Sequence, residues 1–396
     1  MSEASEEPSQ EEARGICAVI GGVVAPPPLS VIQALARQSL GPSAEVTLLD
    51  GSEADWRALA LRGEGGGLRL SRLAPGERLL IRQIQALTTF AIQAEGGTTD
   101  RALLVAQRLA GAHDLIGVAA TGGDPAWEPL ARGLAQQLNG LVFQGGRLLD
   151  HELRPLIVAG GAPDPRAVLP VLPDALERCQ RSERRIELFD LQPPPLPPLP
   201  SVEEVQPRSA RAVAERAQAL WAVAARAAGL GAQAARDLLE QRGLGAAATP
   251  REKEYLAAEV PAPEQVARQA HRVEALRALL WALGKVELLG PPRHAAELDE
   301  LSPVLRRHAA QAFCADARLR PLAELLEEAC VLARCHAALL RRARAGQGPP
   351  KGLLPEVVAE RHAALTWVLG TPRVAWDELW SPPGAAAPES PPTPVD

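Results

Sequence analysis

The sequence predicts an α+β protein: a small N-terminal α/β sandwich followed by a mainly α-helical C-terminal domain. Three observations carry this. Up to Asp150, short β-branched or alternating apolar runs interleave with helical stretches. A polyproline run at 192–200, QPPPLPPLP, then interrupts the chain. Beyond it the apolar period becomes that of helices and stays so. At 396 residues the chain is too long for one small core, and two domains are expected.

The elements follow in order. Residues 16–24, ICAVIGGVV, form a β-branched strand run, and 29–38 a short helix. Residues 45–50 and the alternating 68–73 read as strands, and TTFAIQAEG at 88–96 is a further strand candidate. Residues 100–110 are helical, 113–123 are strand then Gly turn, and 125–140 form a helix closed by Asn139-Gly140. LVFQGGRLLD at 141–150 reads as a hairpin around Gly145-Gly146. After the polyproline run, helices are expected near 208–229, 231–242, 250–258, 263–284, 294–313, 319–344 and 355–370. Thr249-Pro250-Arg251-Glu252 supplies a capping residue, Pro at the first helical position and Glu at the third, which marks a helix start.

The resulting organisation is a disordered acidic tail (1–14), an α/β domain (15–190), a Pro-rich linker (191–204), a helical domain (205–380) and a disordered Pro-rich tail (381–396). With no basic residue flanking it, the polyproline run reads as a stiff spacer rather than a ligand for a Pro-binding domain. Aromatic residues are only 3% of the chain, so the cores are built from Leu, Val and Ala, and the seven Trp are the main large side chains.

A net charge of −6 gives no general attraction to nucleic acid or to an anionic membrane. The Arg306-Arg307 and Arg341-Arg342-Arg344 clusters read as solvated helix faces and dipole partners. The five cysteines, at 17, 179, 314, 330 and 335, are an odd and scattered set, a poor disulfide framework that fits a reducing compartment. The first twelve residues are acidic and polar, unlike a signal peptide. Residues 15–36 are uncharged, but Pro26-Pro27-Pro28 would break a membrane helix at its middle. A cytoplasmic, bacterial-type protein with no membrane contact is expected. The abundance of Ala, Arg, Gly and Pro fits GC-rich codon usage.

Helix geometry singles out a set of polar residues. On 319–344 the stripe Leu322, Leu325, Leu326, Ala329, Leu332, Leu340 includes His336, with Glu328 at its edge and Arg334 pointing away. On 355–370, Arg361 and His362 share the side of Val357, Val358, Leu365, Val368 and Leu369, while Glu360 and Trp367 lie elsewhere. On 263–284, Arg277 falls inside the stripe and Glu274 sits near Trp281. A buried guanidinium without a partner costs about 3–5 kcal/mol. Arg277 or Arg361 is therefore expected to pair with Glu274, Glu324 or Glu328 as these helices pack.

Some of the same residues carry a resemblance. Arg272-Val273-Glu274-Ala275-Leu276 followed by Leu280-Trp281-Ala282-Leu283-Gly284 resembles the signature of the domain-of-unknown-function 4272 family. ARLRPLAELLEEACVLARCHA, starting at Ala317, resembles its long middle helix. Glu360-Arg361-His362, Leu365, Trp367 and Trp376-Asp377 resemble its C-terminal motif. The resemblance covers roughly 205–380 and implies a mainly helical fold without assigning an activity. The chain departs from the family pattern at Cys330, where an acidic residue is usual, at Ala333 and Ala337, where aromatics are usual, and at Thr366, where Asn is usual.

The candidate polar cluster is thus Arg272, Glu274, Arg277, Trp281, Glu328, His336, Glu360, Arg361, His362 and Asp377. Such residues can simply tie helices together, or they can form a site in which Glu and His exchange protons and Arg clamps an anion. No positioned nucleophile is evident. Cys330, Cys335 and His336 are close in sequence, but a spacing of five puts the thiols on different helix sides, and no metal site or cofactor is expected. Thr121-Gly122-Gly123-Asp124 lacks the P-loop Lys and the GxGxxG pattern and reads as a connecting turn with Asp124 as helix cap.

Three functions remain open: a non-enzymatic binding or regulatory module with a protein partner, an enzyme with a Glu/His/Arg acid–base site between helices, or a structural scaffold. The first is favoured. It requires an exposed patch outside the polar cluster, the second an open cavity lined by that cluster, the third neither.

Overall fold

Val19 and Ile20 are neighbours on strand β1 (Arg14–Gly21), and both are buried, but in different cores. Successive side chains leave a strand on opposite faces, so this sheet is covered on both sides. The computed structural model describes residues 14–64, 66–121, 126–192, 196–307, 309–350, 352–370 and 375–380. The chain divides into two compact units, Met1–Ala175 with Glu203–Val205, and Leu176–Val202 with Gln206–Asp396.

In the first unit β1 is followed by α1 (Leu29–Leu40), β2 (Glu45–Gly51), β3 (Trp56–Gly63), β4 (Gly66–Leu73), α2 (Arg78–Ala94), α3 (Asp100–Ala110), β5 (Asp114–Ala120), α4 (Glu128–Gln137), β6 (Leu141–Gln144), β7 (Arg147–Leu149) and β8 (Pro155–Val158). Among the described residues these strands make one antiparallel sheet in the order β2-β3-β4-β5-β1-β6-β7-β8. Helices α1 and α4 cover the face of Val19, Trp56 and Ile116; α2 and α3 cover the face of Ile20, Leu115 and Ile157. The β6–β7 hairpin turns at Gly145 (φ 54°) and Gly146 (φ 72°), the two left-handed positions of the turn that matches strand twist.

The strand candidate at 88–96 is corrected: it is largely the end of α2. Leu80, Leu87 and Ala91 bury one helical face there, and that packing outweighs the strand preference of Thr88, Thr89 and Phe90. Strands β3 and β8 were not anticipated. Residue 14 of the expected N-terminal tail is the start of β1; the rest of the tails and the Gly122–Asp124 part of the proposed turn lie outside the described residues.

Helix α5 (Pro173–Glu187), also unanticipated, begins in the first unit and continues into the second. The first unit runs to Ala175 and takes in Glu203–Val205 after the Pro-rich run. Arg178 donates from Nη2 to the carbonyls of Leu199 (2.8 Å) and Pro200 (2.5 Å), which ties the end of the Pro-rich run to α5. Glu204, in the first unit, is held by Arg108 and by the Asn139 side chain.

The second unit continues with α6 (Ala210–Ala227), α7 (Ala232–Gln241), α8 (Pro250–Ala257), α9 (Pro263–Ala270), α10 (Arg272–Ala282), α11 (Leu298–Arg306), α12 (Ala310–Ala315), α13 (Leu322–Arg344) and α14 (Pro355–Leu369). The Ala-rich α6 is buried on nearly all sides between Val213 and Ala224, and its neighbours pack around it. Helix α14 packs on both α10 and α13. The single helix expected at 263–284 breaks at His271 into α9 and α10.

The capping box forms as the sequence requires: Thr249 Oγ1 accepts from Glu252 N, and Glu252 accepts from Thr249 N at 2.9 Å. Thr249 Oγ1 also donates to Asp377 at 2.8 Å. Thr249→Ala is therefore expected to cost about 1–2 kcal/mol, read as a lowered urea midpoint of the helical signal. An unchanged midpoint would show that water replaces the cap at no cost.

Candidate functional site

Arg272 and Glu274 start α10, and Glu360 and Arg361 sit in the middle of α14. The two helices bring them together as two crossed ion pairs. Arg272 Nη1 donates to both oxygens of Glu360, at 3.0 and 3.1 Å. Arg361 Nε donates to Glu274 Oε2 at 2.8 Å. The other Glu274 oxygen accepts from Ala296 N, and Arg361 Nη1 donates to the Gly290 carbonyl at 2.8 Å. All four side chains are buried, so each charge depends on its partner. Burial pushes the Glu360 carboxyl up to about 7 against the opposing pull of Arg272. Burial also lowers Arg361, opposed chiefly by Glu274.

His336 on α13 and His362 on α14 stack with ring centroids 5.0 Å apart and planes 20° from parallel. Burial lowers both, and His362 falls to about 4 with a further push from His336. Both rings are neutral at neutral pH. Thr366 Oγ1 lies 3.5 Å from His362 Nε2.

Of the pairings expected of Arg277 or Arg361 with Glu274, Glu324 or Glu328, that of Arg361 with Glu274 is present, while the other sequence-derived placements divide. Arg277 does not enter the core: it meets Glu300 at 3.3 Å, and its Nε and Nη2 reach the carbonyls of Leu289 and Leu288. Arg334, expected to point away, is 1% exposed; its Nη1 lies 2.8 Å from Cys330 Sγ and its Nη2 2.5 Å from Cys179 Sγ. Helix α5 covers that side of α13, and without α5 the position reads as solvent-facing. Glu328 pairs with Arg185, two residues before the end of α5, at 2.8 Å rather than with Arg277 or Arg361. Glu360 and Trp367, placed off the apolar stripe, are both buried; Trp367 meets Trp376 edge-on at 5.3 Å. Asp377 accepts from Thr249 Oγ1 and lines a cleft together with Arg272.

Two of the clefts among the described residues of this unit lie beside the ion pairs or α13. One, of about 460 Å³, is polar and is lined by Arg251, Tyr255, Arg268, Arg272, Trp376 and Asp377 among others. The other, of about 510 Å³, lies between the end of α5, Trp281 of α10, the following segment 287–292, and Val331, Leu332 and Cys335 of α13. Its wall is held by three arginines. Arg320 donates to the carbonyls of Trp281, Val286 and Glu287, Arg277 to those of Leu288 and Leu289, and Arg361 to that of Gly290. Every carbonyl from Val286 to Gly290 is thus fixed by a guanidinium. That wall presents Leu288, 72% exposed, and the end of α5 presents Leu188, 76% exposed. Burial pushes the Cys335 thiol up to about 12, so it faces the cleft as an un-ionised group.

Sequence reasoning missed Arg320, Leu188 and Leu288. Val286, Leu288 and Leu289, three apolar residues without helical period before Gly290-Pro291-Pro292, were the available signal. Among the described residues, no group of three His, Cys, Asp or Glu is placed to hold a metal ion.

Fold and site together define a helical domain with internally neutralised buried charges and an apolar cleft walled by a pinned segment. The model of the family described as domain of unknown function (DUF4272) matches residues 178–379, and the chain belongs to that family. The match begins within α5 and leaves the N-terminal sheet outside it. No curated protein and no solved structure matches the chain.

Proposed function

We propose that this protein is a non-enzymatic binding or regulatory module that engages a protein partner at the cleft beside Leu188 and Leu288. The observation that supports it best is the pairing of two highly exposed leucines with a wall whose carbonyls are all pinned. Singly exposed apolar side chains are ordinary, but Leu188 and Leu288 line one cleft, and grouped apolar side chains on a preformed surface favour docking because little ordering entropy is lost on binding. The acid–base alternative loses ground because Glu274 and Glu360 are spent on arginines and His362 is held neutral. The scaffold alternative leaves the exposed leucines without a role. Five free thiols suit a cytoplasmic location.

The test is affinity capture from native lysate with wild type and the Leu188→Ser/Leu288→Ser double variant. Both side chains are exposed, so the double variant should keep wild-type stability within about 1 kcal/mol. A protein held by wild type and lost by the double variant is the expected result. Equal recovery by both would sink the reading. A metabolite that stabilises wild type against heat but not Arg361→Ala would bring the enzyme alternative forward.

A further inference from the structure

The charges around this cleft are not balanced in their hydrogen-bonding capacity. Arg320 uses all three nitrogens within the chain, on the carbonyls of Trp281, Val286 and Glu287 and on Glu324. Arg185 is paired with Glu328. The exposed Glu287 carboxylate has no hydrogen bond or ion pair to any described residue, and Glu324 accepts only one contact, at 3.3 Å from Arg320. Among the lining side chains, three carboxylates therefore meet two guanidiniums, both engaged. Arg293 does not line the cleft; its guanidinium lies 5.5 Å from the centre of the Phe189 ring. The rim offers acceptors and negative charge to whatever enters, and the anchors beside it are leucines.

We propose that the cleft docks a partner segment in which a leucine-sized apolar side chain, placed against Leu188 and Leu288, is flanked by an arginine or lysine that meets Glu287 and Glu324. This rests on the binding reading above and names its partner's chemistry. The two acids belong together because both Glu287 and Glu324 line this one cleft. A vacant carboxylate beside a cavity selects a donor-bearing cation and rejects an anion. A polypeptide segment suits these anchors better than a small molecule. Leu188 and Leu288 line the cleft yet are 76% and 72% exposed, so a segment crossing the mouth can cover area on both beyond what a molecule held inside would cover.

The experiment probes the full chain against two immobilised arrays of short peptides. Each peptide carries a central leucine or isoleucine; one array has Lys/Arg at the flanking positions and the other has Asp/Glu. Binders are then measured by fluorescence anisotropy against wild type, Leu288→Ser and Glu287→Gln/Glu324→Gln. The expected result is selection of the basic array, roughly tenfold weaker binding for Leu288→Ser, and several-fold weaker binding with reduced salt sensitivity for the double Gln variant. Selection of the acidic array, with Leu288→Ser still weakening binding, would overturn the charge assignment while leaving the binding reading standing. Retention on neither array would overturn the proposal, and equal lysate capture by the double-serine variant would take the binding reading with it. A concentration-dependent dimer abolished by Leu288→Ser would replace the partner segment with a second copy of the chain.

Discussion

Glu274→Ala is expected to lower the melting temperature of the helical unit by roughly 10 °C. Glu274 and Arg361 are each 2% exposed, so the substitution leaves a guanidinium in the core with the Gly290 carbonyl as its remaining acceptor. Removing one partner of such a pair costs about 3–5 kcal/mol, mostly as the penalty of the stranded charge. The same change orphans the Ala296 amide, which donates to Glu274. Glu274→Leu combined with Arg361→Met removes both charges and should recover most of the loss, because no unpaired ion remains. The read-out is thermal and urea unfolding followed by helical signal. A shift of only about 2 °C in the single variant would show that water reaches Arg361 and that the pair is not closed. Because Arg361 also pins the cleft wall, Glu274→Ala should weaken partner binding even where the chain remains folded.

Glu360 and His362 are expected to pull the stability curve in opposite directions with pH. Burial raises Glu360 from 4.5 to about 7, so the folded chain holds that proton more tightly than the unfolded chain. The stability from this group is complete below about pH 4.5 and is lost as pH rises through about 7, a change on the order of 3 kcal/mol. His362 is lowered from 6.5 to about 4, so the folded chain binds that proton less tightly. Its contribution is present above about pH 6.5 and is lost as pH falls toward 4. Between pH 4.5 and 6.5 the two effects offset, and the wild-type curve should be flat relative to either variant. Glu360→Gln should lose stability on acidification across that range, and His362→Leu should gain it. Slopes rather than absolute levels decide, because Glu360→Gln also weakens the pair with Arg272. Curves that all run parallel to wild type would mean that neither group is buried from water as described.

Much of the helical unit was legible because its signals are short-range. The Thr249–Glu252 capping box is built from four consecutive residues, and it forms. The stripe on α14 put Arg361 among apolar neighbours, and the need of a buried cation for a carboxylate narrowed its partner to Glu274, Glu324 or Glu328, of which the fold supplies Glu274. The same logic failed at Arg334. Its surroundings depend on α5, which lies far away in sequence and is so charged that it carries little apolar signal. It failed at Arg277 because a long side chain that starts within a stripe can still reach outward to carbonyls and solvent. The strand candidate at 88–96 failed because β-branched and aromatic residues also pack on a helix when one face is covered.

The sequence by itself determined the two-part class, the hairpin at Gly145-Gly146, most helix starts and ends, and membership of the DUF4272 family. Each follows from periodicity, capping or motif order, which operate over a few residues or one helix. Only the tertiary structure decided which carboxylate each buried arginine meets, that Arg334 is enclosed, and that a cleft exists. Its walls come from residues 185–189, 281–292 and 320–335. No local preference brings those segments together; burial of apolar helix faces does, and the cleft is the space that this packing leaves unfilled.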